Sequence, residues 1–315
     1  MSSSIAVDRC RRAIGVDVGG SSIKLGLVDG QGSILEERRI ASLYGSGQAM
    51  VAAVAEAVDP WCSLGPGSAV GIGIGLPGLI DQRRGVVRRA PNLPYLDGFP
   101  ITSAASDRFA LPVRIDNDAN AAGLAEAHFG AAVGADVAVC LTLGTGVGGA
   151  IIEAGRVWRG HGGLAGEIGH IVVRSHGSPC GCGGHGCLET EVAAAAVVRR
   201  YLEAAGDQEG EVDAAEVGRR AASGDAAARA ALAACGRYLG IGLAILVNLL
   251  NPQRLVIGGG LADAGGWLVG PARQEAARRA WTEAWEDCDL VAAVLGAKAG
   301  LVGAACLAWQ GSASG

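Results

Sequence analysis

Cys180, Cys182 and Cys187 fall within eight residues of one another on a glycine-rich stretch. Three soft sulfur donors so spaced can close round one ion, and glycines without Cβ restrictions let the backbone wrap them. Three free thiols are the plainer reading, but clustered exposed thiols oxidise readily and pack nothing. A tetrahedral zinc needs a fourth ligand. His170, ten residues before Cys180, is the candidate, with His161, His176 and His185 as competitors on spacing alone. Four protein ligands leave no open position for a catalytic water, so the expected role is structural.

Three glycine turns suggest phosphate chemistry. In Asp17-Val-Gly19-Gly20-Ser21-Ser22-Ile-Lys24 a carboxylate ends a strand, two glycines make the turn, hydroxyls follow and a lysine lies on the returning strand. Such a turn offers backbone N–H groups and a cation to a phosphate, with Asp17 for a magnesium ion. A second turn is Gly144-Thr145-Gly146-Val147-Gly148-Gly149. Its Gly-x-Gly-x-x-Gly spacing matches the dinucleotide fingerprint. That fingerprint must open a helix, however, and Ala150–Arg156 reads as another short strand and turn. Gly258-Gly259-Gly260, behind an apolar strand, suits a nucleotide lying flat against the backbone. Any one could be an ordinary turn; together they point to a nucleoside triphosphate.

Asp116-Asn117-Asp118-Ala119-Asn120 places four carboxylates and amides among five residues at a strand-to-helix junction. Helix capping needs only one such residue. Glu167 and His170, in Gly166-Glu-Ile-Gly-His, and Glu189, two residues past Cys187, flank the cysteine loop. A metal there would therefore hold polar groups in place.

The elements that must position these groups alternate. Residues 13–40 read as an antiparallel meander turning at Gly19-Gly20 and Asp29-Gly30. A helix over 48–62, a strand over 69–75, a helix near 101–110 and a strand at 113–115 follow, and an alanine-rich helix runs to about Phe129. Val137–Leu143, the Gly144-Thr145-Gly146 turn and Val147–Glu153 then repeat the strand, glycine turn, strand arrangement of residues 13–28. Helices are expected near 189–204, 212–222 and 225–250, strands at 255–257 and 290–294, and a last helix near 300–309. Two halves, each opening on a glycine-turned hairpin, predict an α/β protein of two similar domains with a cleft between them. The pattern puts the smaller domain at 1–116 plus 300–315 and the larger at 117–299.

Composition narrows the function. Half of the 315 residues are hydrophobic and 18% are charged, so global disorder is excluded. A net charge of −5 gives no long-range attraction to phosphate polymers or anionic lipid, and neither nucleic acid nor membrane is an expected partner. The apolar run Leu239–Leu250 is short for a bilayer span and reads as a buried helix. Nine cysteines, an odd number, do not form a secreted disulfide framework. Met1–Arg12 carries charge without an apolar stretch, so a cytoplasmic location is expected.

At these residues the sequence resembles the ROK family (repressors, open reading frames and sugar kinases) of the actin-like ATPase superfamily, and within it the bacterial glucokinases. The resemblance implies a two-domain actin-like, ribonuclease-H-like fold with an interdomain cleft. Gly166–His170 with Cys180–Glu189 is similar to the family's signature and zinc site. The motifs beginning at Asp17 and Leu143 resemble its two phosphate motifs, and Ile257–Gly260 its adenosine motif. The nucleotide set so implied is Asp17, Gly19, Gly20, Ser21, Lys24, Gly144, Thr145, Gly146, Gly258, Gly259 and Gly260. The resemblance further implies Asp118 as catalytic base. It implies sugar contacts from Asn92, Asn117, Asp118, Glu167, His170 and Glu189, and from the backbone of Gly75 and Gly78. His170 would bind zinc through one ring nitrogen and face the sugar with the other. Two departures stand out: Ser21 replaces the family's common threonine, and Thr190-Glu-Val-Ala-Ala lacks the serine usual a few residues beyond the Glu189 position.

The expected activity is transfer of phosphate from ATP to the 6-hydroxyl of glucose, with magnesium on the nucleotide and a structural zinc. An N-acetylglucosamine or N-acetylmannosamine kinase of the same family is the alternative. A sugar-sensing regulator would need a DNA-binding segment, for which the residues before Asp17 leave no room. A sugar-binding protein without catalysis is disfavoured by the intact Asp118, and a dehydrogenase would rest only on the glycine spacing above. A homodimer is expected from the resemblance.

Overall fold

Apolar β-branched residues alternate with smaller or polar ones in the first described segment, and they pair as the meander requires. The computed structural model describes residues 11–62, 69–206 and 212–310. Strands β1 (Arg12–Val18), β2 (Ser22–Asp29) and β3 (Ile34–Ala41) are antiparallel and are followed by helix α1 (Gly47–Cys62) and strand β4 (Ala69–Leu76). A small hairpin, β5 (Leu79–Asp81) with β6 (Val86–Arg89), then leads to α2 (Ile101–Phe109), β7 (Val113–Asn117) and α3 (Asp118–Phe129). The sheet runs β3-β2-β1-β4-β7, with β4 parallel to both β1 and β7. Its register sets Asp17 opposite Gly75, and Gly75 opposite Asp116. Three motifs far apart in sequence therefore end neighbouring parallel strands on one sheet edge, where open α/β sheets take their ligands.

The remaining elements are β8 (Val137–Leu143), β9 (Val147–Glu153), β10 (Arg156–Val157), α4 (Leu188–Val192), α5 (Ala194–Ala205), α6 (Ala214–Ala222), α7 (Ala226–Leu250), β11 (Arg254–Gly258), α8 (Gly266–Arg279), α9 (Thr282–Glu286), β12 (Asp289–Ala292) and α10 (Ala299–Trp309). Their sheet runs β10-β9-β8-β11-β12, the same order of two hairpin strands, a centre and two crossover strands as in the first sheet. The repeat seen in the sequence is thus a repeat of topology. In the second sheet β8 and β11 are parallel, so the turns after Leu143 and Ile257 lie at the same strand ends.

The chain divides into two compact units: one holds the chain to Gly134, Ala154–Ala165 and the chain from Ala297, the other Ala135–Glu153 and Gly166–Gly296. This differs from the division at Asn117 and residue 300 read from pattern. Helix α3, with Asp118, belongs to the first unit because it packs along α10; a side chain at Gly303 of α10 would collide with the backbone of Ala121. Helix α10 also lies directly on the first sheet. Gly15 and Gly73 face it, and a Cβ at either would strike the carbonyl of Leu301 or Ala304.

Each unit has its own core. Ile14, Val16, Ile72, Ile74 and Ile115 of the first sheet pack with Met50, Val54 and Val58 of α1. Val139, Leu141, Leu255 and Ile257 of the second pack with Leu239, Leu243 and Val247 of α7. Full burial of each large aliphatic side chain contributes about 1.5–3 kcal/mol. Helix α7 extends well beyond the apolar run noted above and is long and apolar enough to cross a bilayer, but most of it is buried against α5 and α8. The helix expected over 189–204 is broken at Ala193, whose extended backbone separates α4 from α5. Helices α8 and α9 and the β5–β6 hairpin were not anticipated.

Candidate active site

The second unit carries the metal-ligand set. The ligating atoms of His170, Cys180, Cys182 and Cys187 all lie within 4.8 Å of one another. His170 Nδ1 is 3.6 Å from Cys180 Sγ, and Cys182 Sγ is 3.7 Å from Cys187 Sγ. Zinc–sulfur bonds of about 2.3 Å at tetrahedral angles put ligands roughly 3.5–3.8 Å apart, so the donors fit that ion. Of the four histidines weighed, His170 is the one whose ring nitrogen lies in the cluster; His161, His176 and His185 take no part in it.

Local backbone explains the fit. Gly184 O accepts the Cys180 N–H at 2.8 Å, and isolated bridges pair Pro179 with His185 and Val172 with Cys187. Gly186 has φ +68°, and a Cβ there would collide with the Arg174 carbonyl, so only glycine permits this crossing of the chain. Burial and the neighbouring sulfurs hold the Cys187 thiol up to about 12, whereas the Gly184 N–H draws Cys182 down. A dication at the centre would replace that contest with bound thiolates.

With Nδ1 turned to Cys180, the other ring nitrogen of His170 lies 4.0 Å from Glu167 Oε2. Burial pushes the Glu167 carboxyl above its ordinary range, His170 draws it down and Glu189 raises it further. The cluster therefore presents an imidazole edge and two carboxylates together. Glu189 sits in the first turn of α4, and its Oε2 accepts the Val147 N–H at 3.0 Å. The Gly144 and Gly258 turns belong to the same unit: Gly259, at φ +86°, lies so close to Leu143 that a Cβ would strike its backbone. Thr145 is exposed at the tip of its turn.

In the first unit, the four polar residues of the 116–120 run have separate duties. Asp116 is buried, and its Oδ2 accepts from Arg159 Nε at 2.8 Å and Nη2 at 2.6 Å and from Gln82 Nε2 at 3.2 Å. Its Oδ1 accepts from Asn120 Nδ2 at 3.0 Å and from the Asn117 N–H at 2.8 Å. Asn117 caps α3, its Oδ1 accepting the Ala119 and Asn120 N–H groups, while its Nδ2 donates to Gly78 O at 3.1 Å. Asp118 is partly exposed at the first position of α3, and its Oδ1 accepts the Ala119 N–H at 2.9 Å. Gly75 lies beneath it, with room for a Cβ only 3.6 Å from the Asp118 Cα. Gly78 has φ +97°, and Asn92 is exposed on the turn after β6.

Beside Gly75 in the sheet, Asp17 pairs across the hairpin with Lys24, their charged atoms 3.8 Å apart. Lys24 Nζ also donates to Ala297 O at 3.2 Å. Burial pushes the Asp17 carboxyl up and Lys24 draws it back. A Cβ at Gly300 would lie 2.7 Å from Asp17 Oδ2, so the carboxylate rests against the start of α10. Gly20 and Ser21 are exposed at the turn, closed by Gly19 N–H donating to Ser22 O.

Sequence reasoning missed Arg159, Gln82 and Arg200. A buried carboxylate such as Asp116 demands a cationic partner, but nothing local says which arginine supplies it.

The profile of the ROK family matches residues 13–311. A glucokinase of Halalkalibacterium halodurans is 36% identical over 313 residues, covering 94% of each chain. A ROK hexokinase structure from Thermus thermophilus superposes with a TM-score of 0.82 at 37% identity, covering 96% of this chain and 100% of that one. A Streptomyces griseus ROK glucokinase, solved with glucose and AMPPNP, gives 0.80 at 36% identity, covering 95% and 100%. The fold is that of a two-domain actin-like kinase. The family profile and the curated relative both extend over nearly the whole length, and the chain belongs to the ROK family.

Proposed function

We propose that the protein is an ATP-dependent hexokinase that phosphorylates the 6-hydroxyl of glucose. The observation that carries this reading is the placing of the carboxylates at 116–120: Asp116 is buried against Arg159, Asn117 caps the helix, and Asp118 stands partly exposed at the first position of α3, where a carboxylate can serve as a base. As the 6-oxygen attacks the γ-phosphorus, Asp118 accepts the hydroxyl proton; the new O–P bond forms, the bridging P–O bond breaks and ADP leaves. The names of the relatives and the glucose and AMPPNP in the Streptomyces griseus structure support the same choice of substrates.

The glycine turns at Gly19, Gly144 and Gly258 would present backbone N–H groups to the nucleotide, with Lys24 as a cation. Asp17, a partly buried carboxyl that Lys24 only partly neutralises, would hold a magnesium ion, which supplies charge neutralisation on the phosphates. The cysteine–histidine set would hold a structural zinc, fixing the His170 ring and the carboxylates beside it. Glu167, His170 and Glu189 are assigned to the 1- and 2-hydroxyls of the sugar, with further contacts from Asn92, Asn117 and the backbone of Gly75 and Gly78. A buried polar group left unpaired costs about 1–3 kcal/mol, which favours glucose over its 2-deoxy analogue.

The test is a coupled ADP-release assay across glucose, N-acetylglucosamine, N-acetylmannosamine, mannose and fructose. Glucose should give the highest kcat/KM. An N-acetylhexosamine turned over at least about tenfold more efficiently, roughly 1.4 kcal/mol of transition-state preference, would reassign the sugar and keep the kinase. No sugar-dependent ADP release would remove both.

A further inference from the structure

Two motifs separated by 42 residues meet at one oxygen atom. Val147, the first residue of β9, follows the Gly144-Thr145-Gly146 turn, and its N–H donates to Glu189 Oε2 at 3.0 Å. A Cβ at position 146 would lie 2.5 Å from that oxygen, so the carboxylate reaches Val147 only past a residue without a side chain. On the other flank, Gly144 O accepts the Ala194 N–H at 2.9 Å, just after the Ala193 break frees that region from a continuous helix. The turn closes on itself through Gly144 N–H to Gly146 O at 2.9 Å. It is therefore gripped on both flanks by the α4–α5 segment.

That segment is itself anchored. Glu191, fully buried two residues beyond Glu189, pairs with Arg200, and Arg174 Nη1 lies 3.6 Å from its other oxygen. Arg200 Nη1 also donates to the Glu191 carbonyl at 2.8 Å, and Arg199 to that of Thr190 at 3.3 Å. The end of α4 is held to α5 by two arginines, so Glu189 projects from a fixed base.

We infer that Glu189 is a positioning residue for the phosphate-binding turn as well as a sugar ligand. Oε2 fixes the turn through Val147, and Oε1 is left to accept a sugar hydroxyl. That the turn binds phosphate and that Glu189 binds sugar both rest on the function proposed above; the tie between Glu189 and the turn rests on the contacts just described. A hydroxyl bound to Oε1 restrains the carboxylate and so pre-forms the turn, which makes sugar and nucleotide affinities cooperative. By linkage each ligand then strengthens the other by the same factor, about fivefold at the low end for coupled sites.

The experiment is calorimetric titration of the full chain with AMPPNP and magnesium, with and without saturating glucose, alongside zinc analysis and steady-state KM for glucose. Without sugar, Glu189→Ala should bind AMPPNP about tenfold more weakly, the loss expected of one hydrogen bond to a charged group. Glu189→Gln, whose amide oxygen still accepts the Val147 N–H, should stay within about twofold of wild type, less than one such bond is worth. Gly146→Ala should weaken AMPPNP in the wild-type background and add nothing to Glu189→Ala, because the colliding oxygen is gone. Sugar-free AMPPNP affinity unchanged in Glu189→Ala, or additive losses in the double variant, overturns the positioning role. Should Glu189→Ala lose its zinc, Gly146→Ala decides: undiminished AMPPNP binding there also overturns it. An unchanged glucose KM in Glu189→Ala removes the sugar contact instead, and leaves the turn to be judged on AMPPNP alone.

Discussion

Residues 113–120 and residues 170–187 each gather carboxylates, amides or imidazole for chemistry, and they hold them differently. Around Asp116 a parallel strand, a helix start, Arg159, Gln82 and Asn120 enclose one buried carboxylate, so every tie is a hydrogen bond of the chain to itself. Along 170–187 the backbone pairing outside helices includes two isolated bridges and a few turn bonds, and glycines at positive φ let the chain cross itself. Four ligand atoms converge there instead. A junction built on regular elements carries its own rigidity, whereas a loop of this composition borrows rigidity from an ion. Asp118 is therefore expected to survive chelation in its native place, whereas the His170 ring and Glu167 are not.

The sharpest way to break the comparison is at Asp118. Asp118→Asn keeps shape and removes basicity, and should lower kcat by about 10²–10⁴-fold with sugar affinity changed far less. Steady-state kinetics at saturating glucose checks it; turnover above about a tenth of wild type contradicts the loss of a general base.

Next comes the internal scaffold of the same junction. Arg159→Met leaves Asp116 buried without its guanidinium, and should cost about 3–5 kcal/mol of unfolding free energy. Denaturant unfolding measures this, and zinc content should stay at the wild-type level. Loss of zinc in this variant would show that the junction and the loop are not held independently.

The smallest effect is expected at the loop. Cys182→Ala should weaken metal binding by at least about 10–100-fold and raise the glucose KM, while sugar-free AMPPNP affinity suffers less. Elemental analysis and the ADP-release assay report on it. Zinc absent from freshly purified wild-type protein, or full activity after exhaustive chelation, would leave the loop rigid on its own and erase the contrast.

Much of this was legible in the chain itself. The β1–β2 and β8–β9 hairpins announce themselves because alternation and glycine turns act over a few residues, and the repeat between them foretold the shared strand order. Cys180, Cys182, Cys187 and His170 were named from type and spacing, since metal-ligand chemistry tolerates few residue types. The β5–β6 hairpin escaped because strands of three and four residues carry too little alternation to register. Helix α8 escaped with it: Pro271 and two glycines mask a helix held chiefly by α7, whose Gly236 and Gly240 let the two backbones close up.

Within the 116–120 run, the sequence by itself determined that carboxylates and amides crowd a helix start; it did not say which residue does what. Asp116 and Asp118 are the same residue type two positions apart. Strand alternation and a partner 43 residues away make one a buried counter-ion and leave the other partly exposed at the strand end. The same holds for Glu189, whose bond to Val147 spans 42 residues and depends on the space left by Gly146. Residue types and short spacings set which chemistry is available, because propensity, turns and ligand preference act locally. Which group is spent on structure and which is kept for substrate is decided only when distant segments meet, because burial and pairing are properties of the folded neighbourhood.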